Sequence, residues 1–149
     1  MVLGVLALVG GAAYYAILPQ LRPHMTMRLG DGVFNTQVVK EQGMREKGLG
    51  GTFQLSDDQA MLLVYGNDGK WSVSMKDMKF PIDIVWLDRN KKVVYIVKNA
   101  PPESYPYEDF SPKKEARYVM LSNAGTVAKT RIAIDKIGDF DENKLEGWG

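Results

Sequence analysis

A lysine and an aspartate on either side of a short turn offer the clearest chemical possibility in this sequence. Lys76 and Asp83 flank the tripeptide Lys-Phe-Pro at 79–81. An antiparallel return of the chain there would bring the ammonium and the carboxylate together. Such a pair can orient a substrate, and a desolvated carboxylate can serve as a general base. The spacing therefore makes both residues candidates for a functional site.

The residues that follow the proline give Asp83 apolar company. The stretch IDIVWL at 82–87 predicts a strand, and side chains alternate along a strand, so Asp83 shares a face with Val85 and Leu87. The acid is then a strand-end group reaching water, a buried acceptor of hydrogen bonds, or a functional carboxylate. We favour the structural role, in which Asp83 accepts backbone N–H bonds or pairs with Lys76 or Arg45.

A proline-rich segment at 99–115 carries a second possible site. It holds four prolines together with Tyr105, Tyr107 and Phe110, and ordered loops of this length are usually functional or packed over other elements. Aromatic rings on such a loop could form a stacking platform for a glycan or a peptide. The same rings could instead hold the loop against the sheet, and the sequence leaves both interpretations open.

Composition excludes several chemistries. The 149 residues include no cysteine and one histidine, His24, so thiolate catalysis, disulfides and cysteine-rich metal sites are ruled out. The formal net charge of +1 gives no field to attract nucleic acid. Met75 and Met78 could bind a soft metal through their thioethers, but methionine more often fills a core. We expect no metal, no cofactor and no nucleic-acid partner.

The elements that must position these residues are short strands. Three hairpins are predicted, which pair 25–29 with 33–39, 60–65 with 71–75, and 82–87 with 92–97. A further strand is predicted at 117–122. Short helices are predicted at 41–49 and 125–131, and a closing segment at 134–140. Short strands at close spacing favour a compact, mainly β domain. We expect a sandwich or a partly closed barrel.

The N-terminal segment has the composition of a membrane anchor. Residues 1–18, MVLGVLALVGGAAYYAIL, contain no charged side chain and nearly match the roughly 20 residues that cross a bilayer. We expect a transmembrane helix, with a cleaved signal peptide and a buried core helix as alternatives. Arg22 and Arg28 follow the segment, and the positive-inside rule would keep that side in the cytoplasm.

Several blocks of the sequence resemble a known family. They are GMREKGLGGTFQLSDDQAMLLVY at 43–65, MKDMKFPIDIVWLD at 75–88, NAPP at 99–102, ARYVMLSNAG at 116–125 and IGD at 137–139. Their order and spacing are similar to those of the domain of unknown function 192 family, over about residues 33–140. The resemblance implies a compact, jelly-roll-like β domain, often exported, with no established activity. Because of it, we expect the domain to lie on the extracytoplasmic side.

Individual positions agree with the family pattern or depart from it. The agreeing positions are Arg45, Gly48, Leu49, Met75, Lys76, Pro81, Asp83, Gly125, Gly138 and Asp139. The departing positions are Thr52 in place of Arg, Ser74 in place of Trp, Asp77-Met78 in place of Asn-Thr, and Leu121 in place of Glu. The candidate ligand-binding residues are thus Arg45, Met75, Lys76, Asp83, Tyr105 and Tyr107.

The chain divides into an anchor or signal at 1–21, a tether and first strand at 22–32, the β domain at 33–140 and a tail at 141–149. Three function classes follow from this division. The first is a membrane-tethered binding or accessory module for a small molecule, a glycan or a peptide, with no catalytic activity. The second is a hydrolase of an envelope polymer that uses Asp83 with Lys76 or Arg45. The third is a structural subunit of a membrane complex that is held by the 1–18 helix.

Overall fold

The computed structural model of the protein describes residues 23–146. These residues form one six-stranded sheet in the order β1-β2-β3-β6-β4-β5. The strands are β1 (His24–Leu29), β2 (Gly32–Val39), β3 (Gln59–Gly69), β4 (Ile82–Leu87), β5 (Val93–Ala100) and β6 (Ala116–Asn123). Three short helices accompany the sheet in this part of the chain: α1 (Gln42–Lys47), α2 (Thr126–Lys129) and α3 (Asn143–Glu146).

The strand pairing is antiparallel except at one place. β2 and β3 run parallel, and the chain between them includes α1. β6 lies between β3 and β4 and is antiparallel to both. The connection that leads from β3 to β4 therefore carries residues 70–81 over one face of the sheet. This connection and α1 provide the walls of the cavity described below.

Two predicted hairpins are confirmed and one is wrong. β1 pairs with β2, and β4 pairs with β5, as the sequence predicts. The predicted hairpin of 60–65 with 71–75 does not form, because β3 continues to Gly69 and pairs with β6 instead. Of the segment 71–75, Val73 alone makes a β-bridge, and its partner is Phe110 of the proline-rich loop.

Apolar side chains are buried on both faces of the sheet. On the α2 face, the sheet is covered by Val127, Ile132, Phe140 and Leu145. On the opposite face, the loop face, it is covered by Leu49, Val73, Met75 and Met78. All six residues of β4 are buried, since this strand is central and covered on both sides.

The mainly β fold class is confirmed at the level of a single sheet. The described strands do not form the expected sandwich of two sheets, and the sheet does not close into a barrel. The predicted closing segment forms isolated bridges rather than a strand: Ile137 bridges Lys92 before β5, and Asp139 bridges Arg28 of β1. Residues near the two edges of the open sheet are thus linked at one end by this short segment.

The predicted transmembrane helix at 1–18 lies outside the described residues. Within 23–146, no helix is long and apolar enough to cross a bilayer. Among the described residues, the two cores extend from Met25 to Leu145.

Candidate functional site

Asp83 joins two strands to α2. Its side chain is on the α2 face and the residue is 1% exposed. Oδ1 accepts a hydrogen bond from the backbone N–H of Asn99, at 2.9 Å. Oδ2 accepts two more, from Gly125 at 3.1 Å and from Val127 at 2.9 Å. Because backbone donors at the start of a helix stabilise a carboxylate, this acid fixes α2 and β5 relative to β4.

The expected approach of Lys76 to Asp83 does not occur. The ion pairs within residues 23–146 do not include these two side chains. Lys76 is exposed in the connection on the loop face, whereas the carboxylate of Asp83 binds backbone groups on the α2 face. The sheet separates them, and the turn at 79–81 does not reverse the chain onto itself as a hairpin.

The other candidates lie apart from one another. Met75 is buried in the loop-face core, as a core-filling methionine would be. Tyr105 and Tyr107 are exposed on the proline-rich loop, with 43% and 90% of their surfaces accessible. Phe110 packs against the loop-face core and anchors that loop through its bridge to Val73. Of the six candidates, Arg45 alone lines the cavity described next.

A cavity of about 510 Å³ opens on the loop face. On one side, the cavity is bounded by α1 and the two residues that follow this helix; on the other side, it is bounded by the connection at 71–74. Its volume is within the range of small-molecule sites. Its apolar lining residues are Leu49, Leu63, Val73, Met78, Ile82 and Leu121, with the rings of Tyr65 and Trp71. Its polar lining residues are Gln42, Arg45, Glu46, Lys47, Ser72, Ser74 and Asp109.

One part of the cavity lining is a stack of three side chains. The rings of Tyr65 and Trp71 are nearly parallel, with centroids 4.3 Å apart and 8° between their planes. The guanidinium carbon of Arg45 lies 4.7 Å from the centroid of the Tyr65 ring. Since Trp71 covers one face of that ring, Arg45 must cover the other. The order is therefore Arg45, Tyr65, Trp71, with a cation held against an aromatic face.

Hydrogen bonds hold both ends of the stack. The indole N–H of Trp71 donates to the carbonyl of Ala116 at 3.1 Å, and the backbone carbonyl of Trp71 accepts from the indole of Trp86 at 2.7 Å. The Nη1 atom of Arg45 donates to the carbonyl of Lys40 and, at 3.3 Å, to that of Val64. The stack is thus built onto the backbone of the sheet and of the chain before α1.

Burial raises the pKa of the Tyr65 phenol. The nearby Arg45 charge works in the opposite direction and Glu46 adds a smaller increase. Burial is the largest of the three influences, so the phenol stays neutral at physiological pH and keeps its proton to a higher pH than an exposed tyrosine.

Close backbone approaches fix α1 over the sheet. The helix ends at Gly48, which has a φ of 51° and donates its N–H to the carbonyl of Met44 at 2.9 Å. At Gly50, a Cβ would lie 2.9 Å from the carbonyl oxygen of Lys47 and 3.0 Å from that of Lys76. The chain after α1 therefore passes the connection too closely for a side chain, and this contact sets the distance between the two cavity walls.

Three departures from the family pattern line this cavity. They are Ser74, Met78 and Leu121, at positions where the resemblance described above implies Trp, Thr and Glu. A serine in place of an indole leaves space, and leucine in place of a carboxylate makes the buried surface of β6 apolar. The small side chain of Ser74 and the apolar side chains of Met78 and Leu121 thus contribute to the size and apolar surface of the cavity.

Sequence reasoning missed Tyr65 and Trp71 as site residues. A signal for them existed, since both flank the turn of the predicted 60–75 hairpin and would have faced each other across it. The hairpin is absent, yet the two rings do meet. Leu63, Ile82 and Leu121 carried no signal beyond apolar patterning, because their convergence depends on strand order.

No metal centre accompanies this arrangement in the part of the chain that the structure describes. Residues 23–146 contain no group of three or more histidine, cysteine, aspartate or glutamate side chains that could hold a metal ion.

Comparison with known proteins gives a family and a fold. The model of the domain of unknown function 192 family, described as uncharacterised ACR, matches residues 25–138. A search of curated proteins finds no match to this chain.

Two solved structures are similar to this one. A candidate transcription regulator from Sinorhizobium meliloti is 22% identical, with a TM-score of 0.75 over 79% of this chain and 94% of that one. A protein of unknown function from Novosphingobium aromaticivorans is 19% identical, with a TM-score of 0.73 over 78% of this chain and 85% of that one. At these identities, the similarity establishes the fold alone.

Proposed function

This chain belongs to the domain of unknown function 192 family, and we propose that it is a small-molecule binding module tethered to the extracytoplasmic side of a membrane. The binding half of this proposal depends on the loop-face cavity of about 510 Å³. A concave lining that combines apolar side chains with convergent polar groups is suited to a ligand site. The tethering half depends on the uncharged sequence of residues 1–18.

The hydrogen bonds of the polar groups around the cavity favour binding over catalysis. Ser74 Oγ accepts a hydrogen bond from the N–H of Lys76 at 3.1 Å, and Glu46 accepts one from Gln42 at 3.0 Å. No hydrogen bond within residues 23–146 joins a serine hydroxyl to a carboxylate that could act as its base. The lining thus presents groups that can recognise a ligand, but among the described residues no serine hydroxyl is hydrogen-bonded to a base that could activate it as a nucleophile.

The hydrolase alternative has no support from the position of Asp83. Both of its oxygens are occupied by backbone N–H donors. It lies on the α2 face, away from the cavity. A stacking platform at Tyr105 and Tyr107 is the weaker binding alternative, because these exposed rings do not line the loop-face cavity.

A matched pair of variants at Ser74 tests the binding half. Ser74→Trp adds an indole to the cavity wall, whereas Ser74→Ala keeps the space and removes the hydroxyl. Small molecules extracted from the purified full chain and from both variants are compared by mass spectrometry. We expect a compound that co-purifies with the wild type and Ser74→Ala and is depleted at least tenfold from Ser74→Trp. The same compounds in equal amounts from all three proteins would contradict the proposal.

A reporter fusion tests the tethering half. Reporters that work only in the cytoplasm or only outside it are fused after Gly149. We expect activity of the extracytoplasmic reporter and loss of membrane association when residues 1–21 are removed. Activity of the cytoplasmic reporter alone would overturn the orientation and leave the cavity untouched.

A further inference from the structure

Arg45 has donors left over after its contacts with the protein. Its Nη1 atom makes both of the hydrogen bonds that orient the side chain. Neither Nε nor Nη2 has a hydrogen-bond acceptor within residues 23–146. The Nε and Nη2 groups lie on one edge of the planar guanidinium, and that edge binds a carboxylate through two parallel hydrogen bonds.

The charge of Arg45 is also unneutralised by nearby protein groups. No carboxylate of the described residues lies within 4.0 Å of its guanidinium. Both groups that hold it, the carbonyls of Lys40 and Val64, are neutral, and so is the ring of Tyr65. An anion that enters the cavity would find both a charge and a free hydrogen-bonding edge.

The rest of the lining sets the net charge of that anion. The cavity has two cations, Arg45 and Lys47, and two anions, Glu46 and Asp109. Since the lining has no net charge, each negative charge that enters is unbalanced by the lining as a whole, so a monoanion is accommodated at lower cost than a dianion such as a phosphate monoester. The apolar surface formed by Leu63, Ile82 and Leu121 suits a hydrocarbon body.

We propose that the cavity binds a monocarboxylate with an apolar body, whose carboxylate is held by the Nε and Nη2 groups of Arg45. This inference rests on the proposed function, since it names the ligand class of the same site. The apolar body lies over the buried side chains of the sheet, and the carboxylate lies at the α1 end of the cavity. The rigid stack on Tyr65 holds the guanidinium in place before the ligand arrives, which reduces the ordering cost of binding.

Calorimetric titration of the full chain in detergent, with heats from detergent alone subtracted, tests the inference on unmodified protein. The probes are 3-phenylpropionate and 3-phenylpropionamide, which share their shape and differ in charge. We expect the acid to bind at least about tenfold more tightly than the amide, as one charge-assisted bidentate contact predicts. Equal affinity for the two, with loss of both in Ser74→Trp, would overturn the carboxylate class and retain the cavity as a ligand site.

Variants at position 45 assign the preference to the guanidinium. Arg45→Met should reduce the affinity for the acid to that for the amide. Arg45→Lys keeps the charge without the planar guanidinium, so its affinity for the acid should lie between those of the wild type and Arg45→Met. Arg89→Met removes an exposed arginine in the turn between β4 and β5 and should leave both affinities unchanged. A tenfold preference for the acid that survives in Arg45→Met would overturn the assignment. Failure of both probes to bind at about 10 mM would contradict the inference, whereas the proposed function is judged separately by the compounds that co-purify with the wild type and the Ser74 variants.

Discussion

At the scale of single residues, Asp83 shows how a suggestive acid serves the fold. The sequence allows a strand-end acid that reaches water, a buried structural acceptor or a functional carboxylate, and it favours the structural role. In the structure, the carboxylate oxygens of Asp83 accept three backbone N–H bonds. Alternation along β4 correctly predicted its apolar neighbours Val85 and Leu87. The identity of its partners could not be predicted, because Asn99 and α2 reach it from distant parts of the sequence.

Replacement of this acid should cost stability. Asp83→Asn weakens hydrogen bonds that depend on a negative charge and places an amide N–H₂ against backbone donors. We expect the free energy of unfolding to fall by about 1–3 kcal/mol in urea titrations, with binding of 3-phenylpropionate retained by the folded fraction. Asp57→Asn is the control, since that carboxylate is 71% exposed in its pair with Lys129 and its replacement should leave the unfolding midpoint nearly unchanged. An unchanged unfolding midpoint for Asp83→Asn would refute the structural role.

Tyr65 predicts a pH dependence of stability. Burial raises its pKa above the ordinary value of 10.0. As the pH rises above that value, the unfolded chain releases a proton that the folded chain keeps, so the folded state loses stability. Urea unfolding at pH 7 and near pH 11 should show this loss, and Tyr65→Phe should reduce it. Part of the alkaline loss of stability should remain in Tyr65→Phe, because burial also raises the pKa of Tyr118. An identical alkaline loss in Tyr65→Phe would contradict this account.

At the scale of elements, sequence patterns placed the strands better than the site. β4 was predicted at its observed limits, since proline precedes it and a polar turn follows. The strand at 71–75 was wrong because its alternating apolar side chains cover the loop face while its backbone makes a bridge at Val73 alone. Arg45 was a candidate from the family pattern, but the cavity needed α1, β3, β6 and the connection brought together. Such convergence is not encoded in any single stretch.

Two glycines near α1 should respond oppositely to alanine. Gly43 is in the helix, and a Cβ there would meet nothing within 4 Å, so Gly43→Ala should stabilise the protein by about 0.5–1 kcal/mol through helix propensity. Gly50→Ala would push a Cβ against two backbone carbonyls that cannot rotate away. We expect it to destabilise the protein by about 1–3 kcal/mol and to weaken probe binding. Thermal unfolding of both variants tests these opposite changes in stability. Equal changes in the two variants would mean that the close approach at Gly50 does not hold the cavity wall.

At the scale of the whole molecule, the described domain has its own two cores. Within residues 23–146, these cores extend from Met25 to Leu145, and Asp135 to Phe140 links residues near both edges of the sheet. The mainly β class could be predicted from short alternating segments. The single open sheet could not, because its order places β6 between two strands that precede it in the chain. Such a long-range pairing has no local sequence signature.

The two cores present between Met25 and Leu145 predict that the domain folds without the N-terminal segment. Removal of residues 1–21 should leave a folded protein with a cooperative thermal transition and a far-ultraviolet spectrum dominated by β structure. Its unfolding midpoint should match that of the full chain in detergent within a few degrees. Aggregation or a non-cooperative transition would show that the first 21 residues contribute to the folded domain itself.

The central claim is that the loop-face cavity is the ligand site, and amide chemical shifts test it most directly. The ¹H–¹⁵N spectrum of the full chain in detergent is followed during titration with 3-phenylpropionate. We predict saturable shifts concentrated at Gly48, Leu49, Ser74 and the indole N–H of Trp71, and their absence in Ser74→Trp. Shifts confined to the loop that carries Tyr105 and Tyr107, or a spectrum unchanged at about 10 mM probe, would contradict the claim.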